Sequence, residues 1–221
     1  MGVFKNDKNT NNSLSNNNKM KTTFLTIATI FTLALGTVAS AKASVNNNNG
    51  EVSTTLTNVS QINKIEVYGN VELFVSDGTA DQVKVYNRYY AESALAQSQN
   101  GVLRISSYTD KKLVVWVTAA DLRAITAYDN AEVKSFGNLS KIDLEVNLYN
   151  TASAQLNLEA YNANVNVNDR AKVNLSGNVN NYNLKHDQGA TVNHTGLVAV
   201  NVNNKVTNLQ AKAIGAELAI L

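Results

Sequence analysis

The feature that most constrains the fold of this chain is a repeat of about 20 residues between Ala127 and Gly196. Four segments align on one alanine: "AYDNAEVKSFG", "LYNTASAQLNL", "VNDRAKVNLSG" and "HDQGATVNHTG". The aligned alanines, separated by 21, 19 and 19 residues, are Ala131, Ala152, Ala171 and Ala190. Six positions earlier lie the apolar residues Ile125, Val146, Val165 and Leu184. A repeat of this length indicates a small structural unit that stacks on copies of itself.

Within each unit apolar and polar residues alternate, which is typical of strands that are buried on one face. A unit of strands and turns predicts an all-β fold, a β-helix or β-solenoid with coils of about 20 residues stacked ~4.8 Å apart. The solenoid is expected over residues 121–208, after an N-terminal β-strand region at 58–120 that has a hairpin signal at Asn100-Gly101. A short helix at 90–98 is the one helical candidate of this region. A β-sandwich with accidental periodicity is the alternative fold.

The polar position of the repeat, two residues before each alanine, predicts a turn. In a regular strand it would point into the core, where an unpaired carboxylate is costly. We therefore expect its side chain to cap backbone N–H groups and the alanine to fill a tight corner. The next residue (Asn130, Thr151, Arg170 or Gly189) is expected in the left-handed conformation. The predicted turn residues are Asp129, Ala131, Asn150, Ala152, Asp169, Ala171, Gln188, Gly189 and Ala190.

The N-terminal part of the chain predicts export. Residues 20–43 combine a basic start, an apolar run over 24–38 and small residues from Ala39 to Ala43, as in a cleaved signal peptide. Residues 1–19 are polar and are interpreted as disordered or as preceding the true start at Met20. Residues 44–57 are a flexible leader, 58–208 a single domain, and 209–221 a C-terminal cap or tail. The protein is expected in the periplasm or at the cell surface, with no transmembrane anchor after signal cleavage.

Composition excludes several functions. The net charge is +2 with 16% charged residues and no basic patch, so nucleic acid is not an expected partner. Without cysteine there can be no disulfide, thiol catalysis or cysteine-based zinc site. His186, His194 and Asp187 are the one candidate metal set, but their repeat positions favour a structural role. Neither a cofactor nor a metal site is predicted.

Two groups of polar residues are candidates for chemistry or binding. Asp129, Asp169 and Asp187 are candidate carboxylates of a β-helical polysaccharide enzyme, with Asp129 and Asp169 at a permissive separation, but the turn role explains them equally, so no catalytic residue is predicted. The segment "YNANVNVND" places amides on one strand face, either as a solvated surface or as a polar ladder that contacts glycans. Trp116 is expected to lie in the packed core or on a strand face. The candidate ligand contacts are Tyr89, Tyr90, Asn162, Asn164 and Asn166.

The repeated alanine motif in an exported β-rich chain resembles the DUF2807 family, described as putative autotransporter adhesins with a head GIN domain. The segment "QGAT" at 188–191 matches the family motif best, whereas "DNAE", "NTAS" and "DRAK" keep the alanine and lack the glycine. "INKIEVYGNVELFVSDGTADQVKVY", "NGVLRIS" and "LVVWVTAADLRAITAYDNAEV" are similar to its earlier strands. The resemblance covers roughly residues 58–208 and implies a β-helical fold, a Bacteroidetes source and a surface or periplasmic location.

These observations predict an exported, non-enzymatic adhesin-like or structural interaction protein, with a surface glycan or a protein as its partner. A glycan-binding module is one alternative, and a carbohydrate-active enzyme on a β-helix is another. A flat ladder face with little charge would favour adhesion, whereas a cleft with two carboxylates and an aromatic platform would favour the enzyme.

Overall fold

The structure, a computed structural model, describes residues 53–56, 59, 61–86 and 94–207. The predicted signal peptide at 20–43, the segments 1–19 and 209–221, most of the leader, and the candidate contacts Tyr89 and Tyr90 lie outside the described residues. Within the described part of the chain, no helix is long and apolar enough to span a membrane.

The described residues form thirteen β-strands. The nine shorter strands are β1 (Ser53–Leu56), β2 (Lys64–Gly69), β3 (Val71–Asp77), β4 (Gln82–Tyr86), β5 (Ala94–Gln99), β6 (Val102–Ser107), β7 (Leu113–Ala119), β8 (Ala124–Ala127) and β9 (Glu132–Ser135). The four longer strands are β10 (Leu139–Leu148), β11 (Ser153–Val167), β12 (Lys172–Asp187) and β13 (Thr191–Thr207).

All thirteen strands belong to one sheet that divides into two arms at β11. The start of β11 pairs with β9, and its later part pairs with β10. From β9 the first arm continues through β3, β7, β4 and β1, whereas from β10 the second arm continues through β8, β2, β6 and β5. On the other side of β11, β12 and then β13 complete the sheet. The sheet is therefore an open, curled half-barrel.

The prediction of a β-helix or β-solenoid preceded by a separate strand region is wrong, although the all-β class is right. Successive coils would pair in chain order, but β2 lies between β6 and β8, and β3 lies between β7 and β9. Antiparallel strands also end both arms, because β1 pairs with β4, β4 with β7, and β5 with β6. The 20-residue spacing reports the parallel register between neighbouring long strands, and it carries no information on the strand order of the arms.

Alternating burial builds the core between the two arms. In β7, every second residue from Leu113 to Ala119 is buried and the residues between them are partly exposed. Across β8, β10, β11 and β12 the four aligned apolar residues of the repeat lie opposite one another in parallel register: Ile125, Val146, Val165 and Leu184. All four are at most 3% exposed, and burying each such side chain contributes roughly 1.5–3 kcal/mol.

Two local predictions have opposite outcomes. The hairpin at Asn100-Gly101 is confirmed, because it joins the antiparallel strands β5 and β6 with φ values of 51° and 80° at its central residues. The helix at 90–98 is wrong where the structure describes it, because residues 94–98 belong to β5. Pairing with β6 outweighs the weak helical pattern of so short a segment.

Candidate functional site

One outward surface of the sheet carries columns of hydrogen-bonded amides, here called the amide face. Because the side chains of a strand alternate between its two faces and the long strands pair in parallel, equivalent asparagines lie beside one another. The residues of the amide face are Asp143, Asn147, Asn162, Asn164, Asn166, Asn181, Asn183, Asn201 and Asn203.

Within a column, Nδ2 of one asparagine donates to the Oδ1 atom of its neighbour on the preceding strand. In the longest column Asn162 donates to Asp143 at 2.6 Å, Asn181 to Asn162 at 2.8 Å, and Asn201 to Asn181 at 2.9 Å. A primary amide has two N–H donors and two acceptor lone pairs. Each column bond therefore leaves one N–H group and one lone pair of a central asparagine for other partners.

A column of tyrosines borders the amide face. The ring centroids of Tyr68 and Tyr128 are 4.7 Å apart and those of Tyr128 and Tyr149 are 4.9 Å apart, with the rings parallel to within 8°. The ring faces therefore cover one another, and the column presents ring edges and hydroxyl groups. The hydroxyl of Tyr68 donates to Oε2 of Glu66 at 3.4 Å.

The environment of Tyr68 and Tyr128 favours the protonated form of their hydroxyls. Burial, followed by the charge of Glu66, raises the pKa of Tyr68 to about 12. Burial is also the main cause that raises the pKa of Tyr128 above its ordinary value of 10.0. The two phenols are thus neutral groups that can both donate and accept hydrogen bonds near neutral pH.

Next to the tyrosine column lie the predicted turn residues. The backbone φ is 60° at Asp129, 59° at Asn150 and 58° at Asp169. Asp129 directly follows Tyr128, and Asn150 directly follows Tyr149. Each turn is closed by a backbone hydrogen bond of 3.1 Å, from Ala131 N to Tyr128 O in the first and from Ala152 N to Tyr149 O in the second. A positive φ at the first central residue of the turn is typical of type II′.

The left-handed residue is therefore one position earlier than predicted. The expectation for Asn130, Thr151, Arg170 and Gly189 is wrong, because Asp129, Asn150 and Asp169 adopt the positive φ themselves. Asp and Asn tolerate this conformation better than the other residues with a side chain. Gly189 has a different role, since a Cβ there would come within 2.7 Å of the backbone oxygen of Asp169.

The polar turn side chains accept hydrogen bonds from the preceding turn. Asp129 N donates to Oδ1 of Asn150 at 3.2 Å, and Asn150 N donates to Oδ2 of Asp169 at 2.8 Å. Asp169 N donates to Oδ2 of Asp187 at 2.8 Å, so at the last turn Asp187, and not the exposed Gln188, is the acceptor. Each side chain thus links two turns instead of closing its own.

The four aligned alanines lie beside these turns. Ala131, Ala152 and Ala171 are fully buried, whereas Ala190 is half-buried. Backbone bonds of 2.9 Å run from Ser153 N to Ala131 O, from Lys172 N to Ala152 O and from Thr191 N to Ala171 O. These bonds bring the alanine positions that precede β9, β11, β12 and β13 next to one another.

The candidate catalytic and metal residues are dispersed. Asn150 lies between Asp129 and Asp169, which places the two carboxylates two strand spacings, roughly 10 Å, apart. His186 Nδ1 is 3.0 Å from its neighbour's oxygen, Asp187 O, and His194 Nδ1 is 3.3 Å from the Tyr182 hydroxyl. Among the described residues no group of three or more metal-ligating side chains comes together.

A second aromatic group lies on the outward surface of the first arm. The rings of Phe74 and Trp116 are stacked at 4.8 Å, and Phe136 tilts against Trp116 at 5.1 Å. The ammonium of Lys134 lies 5.7 Å from the centre of the Phe74 ring. The sequence interpretation of Trp116 as a residue of the packed core or of a strand face did not identify this group, because its members come from three different strands or loops and share no repeat position.

Sequence reasoning also missed the tyrosine column, although a signal was present. Tyr128 and Tyr149 both stand three residues before the aligned alanine of their units. The shared position places them on neighbouring strands at the same height. Tyr68 lacks this signal, because β2 joins the sheet out of chain order.

Comparison with known proteins identifies similar sequences and folds. The sequence profile of the DUF2807 family, "Putative auto-transporter adhesin, head GIN domain", matches residues 61–208. No curated protein matches the chain. A solved putative adhesin from Bacteroides fragilis is 15% identical with a TM-score of 0.64, and the match covers 73% of this chain and 78% of the other.

Two further solved structures share the fold. A putative adhesin from Parabacteroides merdae is 16% identical with a TM-score of 0.60, and the match covers 73% of this chain and 79% of the other. A putative lipid binding protein from Parabacteroides distasonis is 10% identical with a TM-score of 0.57, and the match covers 73% of this chain and 81% of the other.

Proposed function

The chain belongs to the DUF2807 family of adhesin-like proteins, and from this premise we propose that it is an exported, non-enzymatic adhesin that recognises a glycan through the amide face and the tyrosine column. The observation that carries this proposal is the set of neutral hydrogen-bonding groups repeated across neighbouring strands at a spacing of ~4.8 Å. A glycan chain displays hydroxyl groups at regular intervals, and each can donate and accept.

The chemistry of the surface favours a neutral, hydroxylated partner. The columns contain eight asparagines and one carboxylate, Asp143. Central amides keep a free donor and acceptor after their column bonds, and the phenols of Tyr68 and Tyr128, whose pKa is raised mainly by burial, are uncharged near neutral pH. Many weak contacts of this kind give useful affinity when several sites on one glycan are bound together.

A non-enzymatic role is supported by the state of the carboxylates. Glycoside hydrolysis requires one carboxyl with a raised pKa beside a second that stays ionised. Among the described carboxyls with a shifted pKa, Glu66, Asp121 and Glu132 are all lowered by neighbouring cations. The Asp129 carboxylate accepts a hydrogen bond from the Tyr108 hydroxyl and the Asp169 carboxylate accepts one from Asn150 N, so the two do not face each other across a cleft.

A glycan array on the purified protein tests the proposal. The double variant Tyr128→Phe/Tyr149→Phe keeps the ring column and removes two hydroxyls, so we expect at least a tenfold loss of affinity for any bound glycan. Tyr161→Phe is the matched control, because Tyr161 is exposed and lies outside the column. Equal losses in the two variants, or no bound glycan at all, would contradict the proposed site.

The enzyme alternative has its own arm in the same experiment. Bound glycans are incubated with the protein and with Asp129→Asn/Asp169→Asn, and reducing ends are counted. We expect no release with either protein. Turnover that disappears in the double variant would overturn the non-enzymatic function.

Export is tested separately by the N-terminus of the protein recovered outside the cytoplasm. The small residues at 39–43 predict a mature chain that begins at or just after Lys42. An exported protein that still begins at Met1 or Met20 would contradict the signal-peptide interpretation.

A further inference from the structure

The last strand, β13, is the longest edge among the described strands. It runs for 17 residues, from Thr191 to Thr207, and pairs along one side with β12. Along its other side no described strand is present. At ~3.3 Å per residue this edge is about 56 Å long. The other two edges of the sheet, β5 and β1, have 6 and 4 residues.

This edge is unusually apolar for a surface. Val198 is 66% exposed, Val200 74%, Val202 60% and Val206 51%. Lys205 is the one charged residue of the strand. Natural edge strands are commonly protected by short length, several charges or proline. β13 has none of these devices beyond Lys205 and one register irregularity opposite Asn174 and Ser176.

Two amide columns also end at β13 with unused acceptors. Asn201 and Asn203 donate to Asn181 and Asn183 through Nδ2. No donor to their Oδ1 atoms is present among the described residues, whereas the Oδ1 atoms of Asn181 and Asn183 each accept such a bond. These acceptors mark β13 as an edge at which further hydrogen bonds can form.

We propose that β13 pairs antiparallel with β13 of a second copy of this chain, about a two-fold axis near Ala199. In this arrangement Val198 lies opposite Val200 of the second copy, and Val206 lies opposite Val192. Exposed apolar residues therefore meet apolar residues. Asn203 lies opposite Thr195 of the second copy, and Lys205 lies opposite Asn193. The two lysines lie about 40 Å apart, which removes their mutual repulsion.

Towards both ends of β13 the orientation of the side chains agrees with this pairing, whereas nearer the centre Asn201, which pairs with Asn181 on the amide face, lies opposite Leu197, which packs against the core. Residues opposed in an antiparallel ladder lie on the same face of the sheet. Val192 and Val206 both continue inward columns, because they pair with Val173 and His186. Asn193 and Lys205 both continue outward positions, because they pair with Asn174 and Lys185.

A second copy is the occupant that the described strands favour. Pairing with β5 or β1 of another molecule would cover 6 or 4 residues and leave most of β13 exposed. Pairing with β13 covers the strand from end to end and closes the assembly as a dimer, since an isologous interface uses the same surface twice. Residues 209–221, which lie outside the described residues, are the competing occupant.

The mass of the full-length protein in solution, measured by light scattering over a range of concentrations, tests the pairing. We expect a dimer that Val198→Lys weakens at least tenfold. Ile142→Lys is the matched control, because Ile142 is 77% exposed and lies on β10, away from this edge. A protein that stays monomeric at all concentrations overturns the proposal, and so does equal weakening by both variants.

A cross-link tests the register. The chain has no cysteine, so Val198→Cys/Val200→Cys introduces the only thiols. Mild oxidation is expected to give a covalent dimer within minutes, whereas Ile142→Cys stays mostly monomeric. Equal cross-linking of the two proteins would overturn the antiparallel register near Ala199.

Charged substitutions in the competing segment, Ile214→Lys/Leu218→Lys, separate the two occupants. If a second copy covers β13, these changes leave the dimer unaltered. If a monomer becomes a dimer on this substitution, residues 209–221 cover the edge and the proposal is wrong. Glycan binding by a monomeric β13 variant is measured in parallel, so that failure of the dimer is distinguished from failure of the glycan site.

Discussion

The arms and the long strands belong to one sheet, but their outward faces are held by different interactions. In the arms, formed by β1–β9, ion pairs and stacked aromatic rings connect short strands: Glu66 binds Lys64 and Arg104 at 2.8 Å, and Lys112 binds Glu132 at 2.6 Å. In the long strands, β10–β13, amides bind amides in columns. Every ion pair found among the described residues includes at least one residue of the arms or their loops.

The difference follows from the repeat. In-register units place identical residues side by side, and like charges in such positions repel. Asparagine avoids this problem because it donates to and accepts from a copy of itself. The arms lack this constraint, since β2 and β3 lie between strands of unrelated sequence. Glu66 can therefore have Arg104 as its neighbour on β6.

The largest expected effect compares glycines of the two regions. Gly177 in β12 has a φ of 102°, and a Cβ would lie 2.1 Å from the backbone oxygen of Leu158. Gly177→Ala is therefore expected to lower the free energy of unfolding by about 3 kcal/mol or more, from backbone strain and overlap together. Urea denaturation measures the loss.

Gly137, after β9, is the matched control. Its φ is 80°, but a Cβ there would meet nothing within 4 Å. Gly137→Ala should cost about 1–2 kcal/mol, from backbone strain alone. Equal losses of unfolding free energy at the two positions would show that the long strands can separate locally to accommodate the new side chain. That result would contradict the close packing of Gly177 against Leu158.

The tyrosine column joins the two regions and gives the next largest effect. Tyr128→Ala removes both stacked contacts, with Tyr68 and with Tyr149, and should cost about 2 kcal/mol. Tyr161→Ala, at a ring that is 56% exposed, should cost about 0.5 kcal/mol or less. Thermal unfolding measures both variants. If they lose equal stability, the column presents hydroxyls without holding the arm to the long strands.

The same contrast explains what could be predicted from the sequence. The repeat gave the register of Val146, Val165 and Leu184, because alternation and spacing are local properties of the long strands. The repeat led to the wrong fold because no local sequence pattern indicates that β2 lies between β6 and β8. Strand order depends on pairing between segments that are far apart in the chain, and sequence spacing does not record it.

The candidate site was predicted in part for a related reason. Asn162, Asn164 and Asn166 have repeat partners, and they lie on the amide face. The Phe74–Trp116–Phe136 group has none, because its contacts join β3, β7 and the end of β9. The left-handed turn residue was displaced by one position, since a polar side chain can cap its own turn or the preceding one and the pattern does not distinguish them.

A smaller effect is expected inside the amide columns. Asn181 donates to Asn162 and accepts from Asn201, so Asn181→Ala removes two side-chain bonds and should cost about 1 kcal/mol. Asn178 is an exposed asparagine of the same strand with no column bond, and Asn178→Ala should change stability by about 0.5 kcal/mol or less. Equal changes in urea midpoints would mean that the columns add no stability to the long strands.

The smallest effect, and the one that best separates the regions, depends on pH. Burial alone would raise the pKa of Glu66, but the hydrogen bonds and charges of Lys64 and Arg104 lower it below its ordinary value of 4.5. A carboxyl with a lowered folded pKa contributes stability above its unfolded pKa and loses it as the pH falls through the folded value. Glu66→Gln should therefore cost less than about 1 kcal/mol at pH 7, and the difference from the original protein should vanish in strong acid.

Asn181→Ala supplies the contrast, because an amide does not titrate and its cost should be the same at pH 7 and at pH 3. Salt separates the two variants in the same direction, since about 1 M salt screens charges beyond roughly 3 Å and leaves amide bonds largely unaffected. Unfolding curves at both pH values, with and without salt, check these outcomes. If the cost of Asn181→Ala also disappeared in acid, the columns would depend on nearby charges such as Asp143, and the distinction between charged arms and neutral long strands would no longer hold.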